Sequence, residues 1–163
     1  MIAGGGLGGC ASALSALRNN LNVILTEETD WIGGQLTQQG VPPDEHRWIE
    51  SHGSSQLYRK FRTSIRQYYQ RNYPLTEAAK ANDLFNPGDG SVSRLCHEPR
   101  VALAVLYEML TPYINSKRLT LLLKHKITNA EVNDDQVSSL LASDLNYDTK
   151  ILLKAPYFVD ATE

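Results

Sequence analysis

Met1-Ile-Ala-Gly-Gly-Gly-Leu-Gly-Gly-Cys10 opens the chain and decides its fold class, because Gly4, Gly6 and Gly9 stand at the G-x-G-x-x-G spacing. A side chain would spoil the job of each glycine. Gly4 suits a tight turn, Gly6 lets backbone approach a pyrophosphate, and Gly9 allows close packing of helix on strand. Ala11, Ala13, Ala16, Leu14 and Leu17 then describe a helix slim enough to lie on a sheet, Asn19 and Asn20 end it, and Leu21-Asn-Val-Ile-Leu-Thr26 is an apolar, β-branched strand. Strand, glycine turn, helix and strand form a βαβ unit. The helix start, with Leu7 in its first turn, turns free N–H groups toward an anion, so the predicted ligand is a dinucleotide.

Glu27 closes the second strand 18 positions after Gly9, near the spacing of about 20 at which an acid meets the ribose hydroxyls. A carboxylate there accepts from the 2′-OH and repels a 2′-phosphate, which disfavours NADP. After five intervening residues comes a second glycine pair, Gly33-Gly34.

With that pair in place the chain resembles FAD-binding oxidoreductases of the glutathione-reductase type. It is most similar to bacterial FAD-dependent oxidoreductases, through Gly33-Gly-Gln-Leu-Thr37, Leu95-Cys-His-Glu-Pro-Arg100 and Phe158-Val-Asp-Ala-Thr162. The resemblance implies FAD as cofactor, with Gly4, Gly6, Leu7 and Gly9 at the pyrophosphate, Glu27 at the adenosine ribose, and Gly33, Gly34 and Gln35 on the flavin side. It also implies a contact of Ile127 with adenine, and Ala161 and Thr162 closing the site. In the family a glycine follows the threonine. Glu163 stands in its place, which removes a close backbone approach. The flavin would carry the redox chemistry, so no catalytic acid, base or nucleophile is assigned.

The chain's 163 residues, 42% hydrophobic, suffice for one modest core, and 16 Lys+Arg against 18 Asp+Glu give a net charge of −2. That balance offers no attraction to nucleic acid or anionic lipid. No run approaches the ~18 apolar residues of a membrane span, and no leader-like segment opens the chain, so the expected location is the cytoplasm. Cys10 and Cys96 form no close pair and are expected to be reduced, Cys10 packing as a small apolar residue under the loop rather than as a reactive thiol. Asp44-Glu45-His46 and Cys96-His97-Glu98 contain metal-ligand types without metal-site spacing, so no metal is expected. His52 and His125 read as surface residues, and no G-x-S-x-G elbow supports hydrolysis.

Between residues 35 and 95 the pattern predicts an insertion. It holds a loop, then a helix over 49–71 with Leu57, Phe61, Ile65, Tyr68 and Tyr69 on its apolar stripe, ended near Asn72 and Pro74. The other face carries Arg59, Lys60, Arg62, Arg66 and Arg71 and is expected to be a solvated charged face. Residues 82–93 read as a flexible surface loop over the cofactor side. A second crossover helix opens at Glu98-Pro99 with a break at Pro112, and leads into a strand at 119–123. Runs at 127–132, 137–143 and 150–153 predict an antiparallel meander, and the resemblance implies that a final parallel strand at 157–160 follows it.

The expected architecture is α/β: one Rossmann-like FAD/NAD(P)-binding domain over 1–163, with a parallel sheet, a helical insertion and a three-stranded β-meander at 127–154. The short first strand and the stop after the last one predict a truncated copy of a longer enzyme, completed by a further domain or a second copy of the chain. Its substrate, electron donor and electron acceptor are unassigned. Two rivals are an NAD-binding dehydrogenase domain and a non-catalytic remnant or interaction module.

Overall fold

The computed structural model describes residues 1–162. Strands β1 (Ile2–Ala3), β2 (Val23–Glu27), β3 (Leu119–Leu123) and β7 (Val159–Asp160) form a parallel sheet in the order β3-β2-β1-β7. Strand β1 is only two residues long, yet it lies inside the sheet, pairing Ile2 with Leu25 on one side and with Val159 on the other. Helix α1 (Leu7–Arg18) follows the glycine turn and buries Cys10, Ala13, Leu14 and Leu17 in the core. Asn20 ends it with φ +61°, a conformation asparagine tolerates better than most residues.

The insertion between β2 and α4 (Pro99–Asn115) contains a 3-10 turn (Gly34–Leu36), α2 (Gln56–Asn72) and α3 (Glu77–Lys80). Helix α2 starts seven residues later than the apolar stripe suggested. Gly53 adopts φ +83°, and the Ser55 side chain caps the helix by accepting from the Tyr58 N–H at 3.2 Å. Ile49 is buried from the preceding turn instead. The α2 C-terminus fits expectation, since Tyr73 is extended (φ −120°, ψ 146°) ahead of Pro74. Pro112 does not break α4. The helix runs through it to Asn115, and the Pro112 carbonyl still accepts from the Ser116 N–H at 3.2 Å, so the missing proline N–H costs one bond near the helix end.

The charged face of α2 also departs from expectation. Lys60 and Arg71 are exposed, but Arg62 and Arg66 are each only 4% exposed. Arg62 donates to Glu45 and Glu50, and Arg66 to Glu50, at 2.7–2.8 Å. Burial alone would drive both arginines to unfold the site; the two acids from the preceding loop neutralise them. Arg66 also donates to the Phe85 carbonyl at 2.9 Å and to that of Arg94 at 3.3 Å. The 82–93 loop is therefore pinned to α2, away from the cofactor side predicted for it, and Asn86 ties it to Gly90, Ser93 and Cys96.

The meander is β4 (His125–Asn133), β5 (Gln136–Asp144) and β6 (Thr149–Leu153), antiparallel in the order β4-β5-β6. A single residue, Lys124 at φ +56°, separates β3 from β4 and redirects the chain out of the parallel sheet. The β4–β5 register slips between Ile127 and Asn129, a bulge beside the site described next. Among the described residues no helix is long and apolar enough to cross a membrane.

Candidate dinucleotide site

At the carboxyl end of the parallel sheet, where ligands of open α/β sheets bind, lies a cavity of about 410 Å³. Its floor is the turn Gly4-Gly5-Gly6. Thr26 and Glu27 from the end of β2, residues 125–127 at the start of β4, and Ala161 and Thr162 after β7 form the walls. Gly4 sits at φ +96°, and a Cβ on it would lie 2.3 Å from the Ala161 carbonyl oxygen; a Cβ on Gly9 would lie 1.9 Å from the carbonyl oxygen of Gly4. The turn, the first helical residues and the segment after β7 thus meet backbone to backbone. Helix α1 begins at this floor with no side-chain cap and no acid in its first turn, leaving its first amides to a ligand.

Glu27 is 8% exposed. Its Oε2 accepts from the Gly5 N–H at 3.1 Å, and its Oε1 accepts from the Thr29 N–H at 2.8 Å and the Thr29 hydroxyl at 2.7 Å. The Gly5 carbonyl in turn accepts from the Gly33 N–H at 2.7 Å and the Cys10 thiol at 3.3 Å. Burial, with the Glu27 charge adding to it, pushes the Cys10 thiol up to about 12. Cys10 is accordingly a packing residue, as expected, and Cys96 is likewise a buried free thiol.

The structure brings Gly4, Gly6, Glu27, Gly34, Ile127, Ala161 and Thr162 together around the cavity. The remaining candidates support it from outside. Leu7 packs in an apolar cleft with Leu57, Phe61 and Met109, and Gly9 backs the Gly4 carbonyl. Gly33 holds Gly5 through its N–H, and the Gln35 carbonyl accepts from the Val41 N–H at 2.9 Å. Glu163 lies outside the described residues.

These features fit the cofactor implied by the glycine pair: a floor in which a side chain on Gly4 or Gly5 would collide with the walls, a helix start without a side-chain cap, and a buried carboxylate at the end of β2. Residues 1–163 match the family model described as FAD dependent oxidoreductase. The chain belongs to the FAD-dependent oxidoreductase family. FAD, the cofactor anticipated above, is thus the cofactor of its family. Carotenoid phi-ring synthase of Chlorobaculum tepidum is 31% identical over 90 residues, which are 55% of this chain and 13% of that protein. Among solved structures, the fold is similar to glycerol-3-phosphate dehydrogenase from Bacillus halodurans, complexed with FAD (TM-score 0.56, 18% identity, 99% of this chain and 33% of that one). It is also similar to the myxobacterial halogenase CndH, a variant of FAD-dependent halogenases (TM-score 0.59, 14% identity, 99% and 36%). At such identities the structural likeness is one of fold, and the chain spans between 13% and 36% of these relatives' own lengths.

Several lining residues of this family member escaped the sequence reading: Gly5, Thr29, Gln38, His125 and Lys126. Gly5 is the unspecified position inside the motif, yet a Cβ on it would fall 2.7 Å from Glu27 Oε2. His125 is not the surface residue expected. Its side chain is 12% exposed, its Nδ1 donates to the Leu123 carbonyl at 2.7 Å, and its Nε2 lies 3.7 Å from Asp144 Oδ2. Lys124 and Lys126 flank it, pairing with Asp30 at 2.7 Å and Glu28 at 3.1 Å. His97 precedes α4 with Nδ1 2.8 Å from the Leu95 carbonyl, and burial lowers its pKa. Glu98 stands at the α4 N-cap, but its carboxylate accepts from the Tyr73 hydroxyl at 2.9 Å instead of capping the helix. Among the described residues no group of three His, Cys, Asp or Glu is placed to hold a metal.

Proposed function

We propose that residues 1–163 are one FAD-binding domain of a flavin-dependent oxidoreductase, and that the cavity holds the ADP half of the cofactor. The observation that carries this reading is the side-chain-free floor Gly4-Gly5-Gly6, bordered by the buried Glu27 carboxylate and by backbone from the far end of the chain. The diphosphate lies against the α1 amides, the adenosine ribose reaches Glu27, and adenine lies toward Ile127 at the β4 bulge. Gly33, Gly34, Gln35, Ala161 and Thr162 shape the flavin side. The bound isoalloxazine supplies the electron and hydride chemistry, while this chain's residues bind it, orient it and exclude water. A further domain or a second copy of the chain completes the walls and brings the substrate. Reduced, buried Cys10 and Cys96 support residence in the cytoplasm.

The test is titration of the purified protein with FAD, read by quenching of flavin fluorescence. The expected result is saturable binding that Glu27→Ala weakens about tenfold or more, the worth of a hydrogen bond to a buried charge. A folded protein, in its full natural length, that takes up no FAD overturns the reading.

A further inference from the structure

Glu27 does not reach the cavity as a free carboxylate. A carboxylate offers about four lone-pair positions, and Glu27 already accepts from three donors: the Gly5 N–H, the Thr29 N–H and the Thr29 hydroxyl. Both Thr29 contacts fall on Oε1. The Thr29 hydroxyl has a single proton and two acceptors in reach, Glu27 Oε1 at 2.7 Å and the Trp31 carbonyl at 2.9 Å. The charged, nearer acceptor wins. Its own oxygen then accepts from the Trp31 N–H at 3.2 Å, which locks the threonine rotamer to the turn that follows β2. Thr29 lines the cavity together with Glu27.

We infer that Thr29 is a positioning residue for the cofactor's ribose. By holding Oε1, it fixes the Glu27 carboxylate over Gly5 and leaves Oε2 as the acceptor for a single ribose hydroxyl. The inference rests on the FAD reading above. Replacing Thr29 by valine keeps the branched shape and the backbone N–H but removes the shortest of the three bonds to the carboxylate, which frees a lone pair on Oε1, loosens the group over Gly5 and takes away its preference for a ribose hydroxyl. Serine keeps the hydroxyl and the contact.

The experiment measures Kd by calorimetry for two ligands, ADP and 2′,3′-dideoxy-ADP, with wild type, Thr29→Val and Thr29→Ser. Wild type and Thr29→Ser are expected to prefer ADP by about tenfold, and Thr29→Val to bind the two alike. A merely structural role would weaken both ligands equally in Thr29→Val and leave the preference intact; that result, or no effect of the substitution, overturns the inference while the FAD reading stands. Wild type that binds neither ADP nor FAD overturns both. If Thr29→Val does not fold, the wild-type amide resonance of Thr29, which donates to Glu27 Oε1, gives the answer: it is expected to move further with ADP than with the dideoxy analogue, and equal movement with both overturns the inference.

Discussion

The glycine turn distinguishes its residues sharply. A Cβ on Gly4 meets the Ala161 carbonyl oxygen at 2.3 Å in a left-handed backbone, whereas a Cβ on Gly8 meets nothing within 4 Å. Gly8 is exposed inside α1, where glycine is less favourable than alanine. Gly8→Ala is expected to raise stability by about 0.5–1 kcal/mol and keep FAD affinity, while Gly4→Ala is expected to cost about 2 kcal/mol or more and abolish binding. Urea unfolding and FAD titration of the two variants check the pair. This difference was half legible. The spacing of Gly4, Gly6 and Gly9 carries a local geometric demand that any reader of the sequence can state. Gly5, at a free position of the same motif, owes its restriction to Glu27, which lies 22 residues away and arrives only with the fold.

At the scale of elements, α2 shows where pattern alone misleads. Its basic residues looked solvated because their acids, Glu45 and Glu50, lie in an aperiodic loop from which no pairing can be read. Burial on its own would push the Glu50 carboxyl up, but hydrogen bonds and charge from Arg62 and Arg66 outweigh it and hold it at about 2. The folded value thus lies below the unfolded one of about 4.3. Glu50 therefore adds stability that is fully present above pH 4.3 and is lost as pH falls toward 2. Glu50→Gln is expected to lower stability at pH 7 and to flatten its decline between pH 5 and 2, as followed by circular dichroism during acid titration. The start of α2 and the continuation of α4 past Pro112 escaped notice for a related reason. Apolar spacing marks a helix face and not its ends, and the ends here depend on the Ser55 side chain, the positive φ of Gly53 and the tolerance of a proline close to a terminus. His125 was misjudged because its burial follows from the one-residue turn at Lys124, which swings the meander back against the cavity.

For the molecule as a whole, the site is built from segments far apart in the chain. Residues 4–6, 26–29, 125–127 and 161–162 share one cavity. Removal of residues 157–163 would strip β7 from β1, uncover Ile2 and take away the carbonyl that backs Gly4. The shortened chain is expected to lose both its cooperative melting transition and FAD binding, as checked by thermal scanning and fluorescence. The parallel pairing of β2 and β3 was legible, since each reads as an apolar run after a helix, whereas β7, expected over 157–160 from the family resemblance, is the exposed pair Val159–Asp160.

The two-residue strand β1 sets an order of events during synthesis. Its partner β2 follows it closely in the chain, but its other flank is filled by Val159 and Asp160, far later in the sequence. Strand β1 must therefore wait, half paired, until Val159 and Asp160 have been translated. Chaperones that shelter exposed strand edges would hold this segment until that late partner arrives.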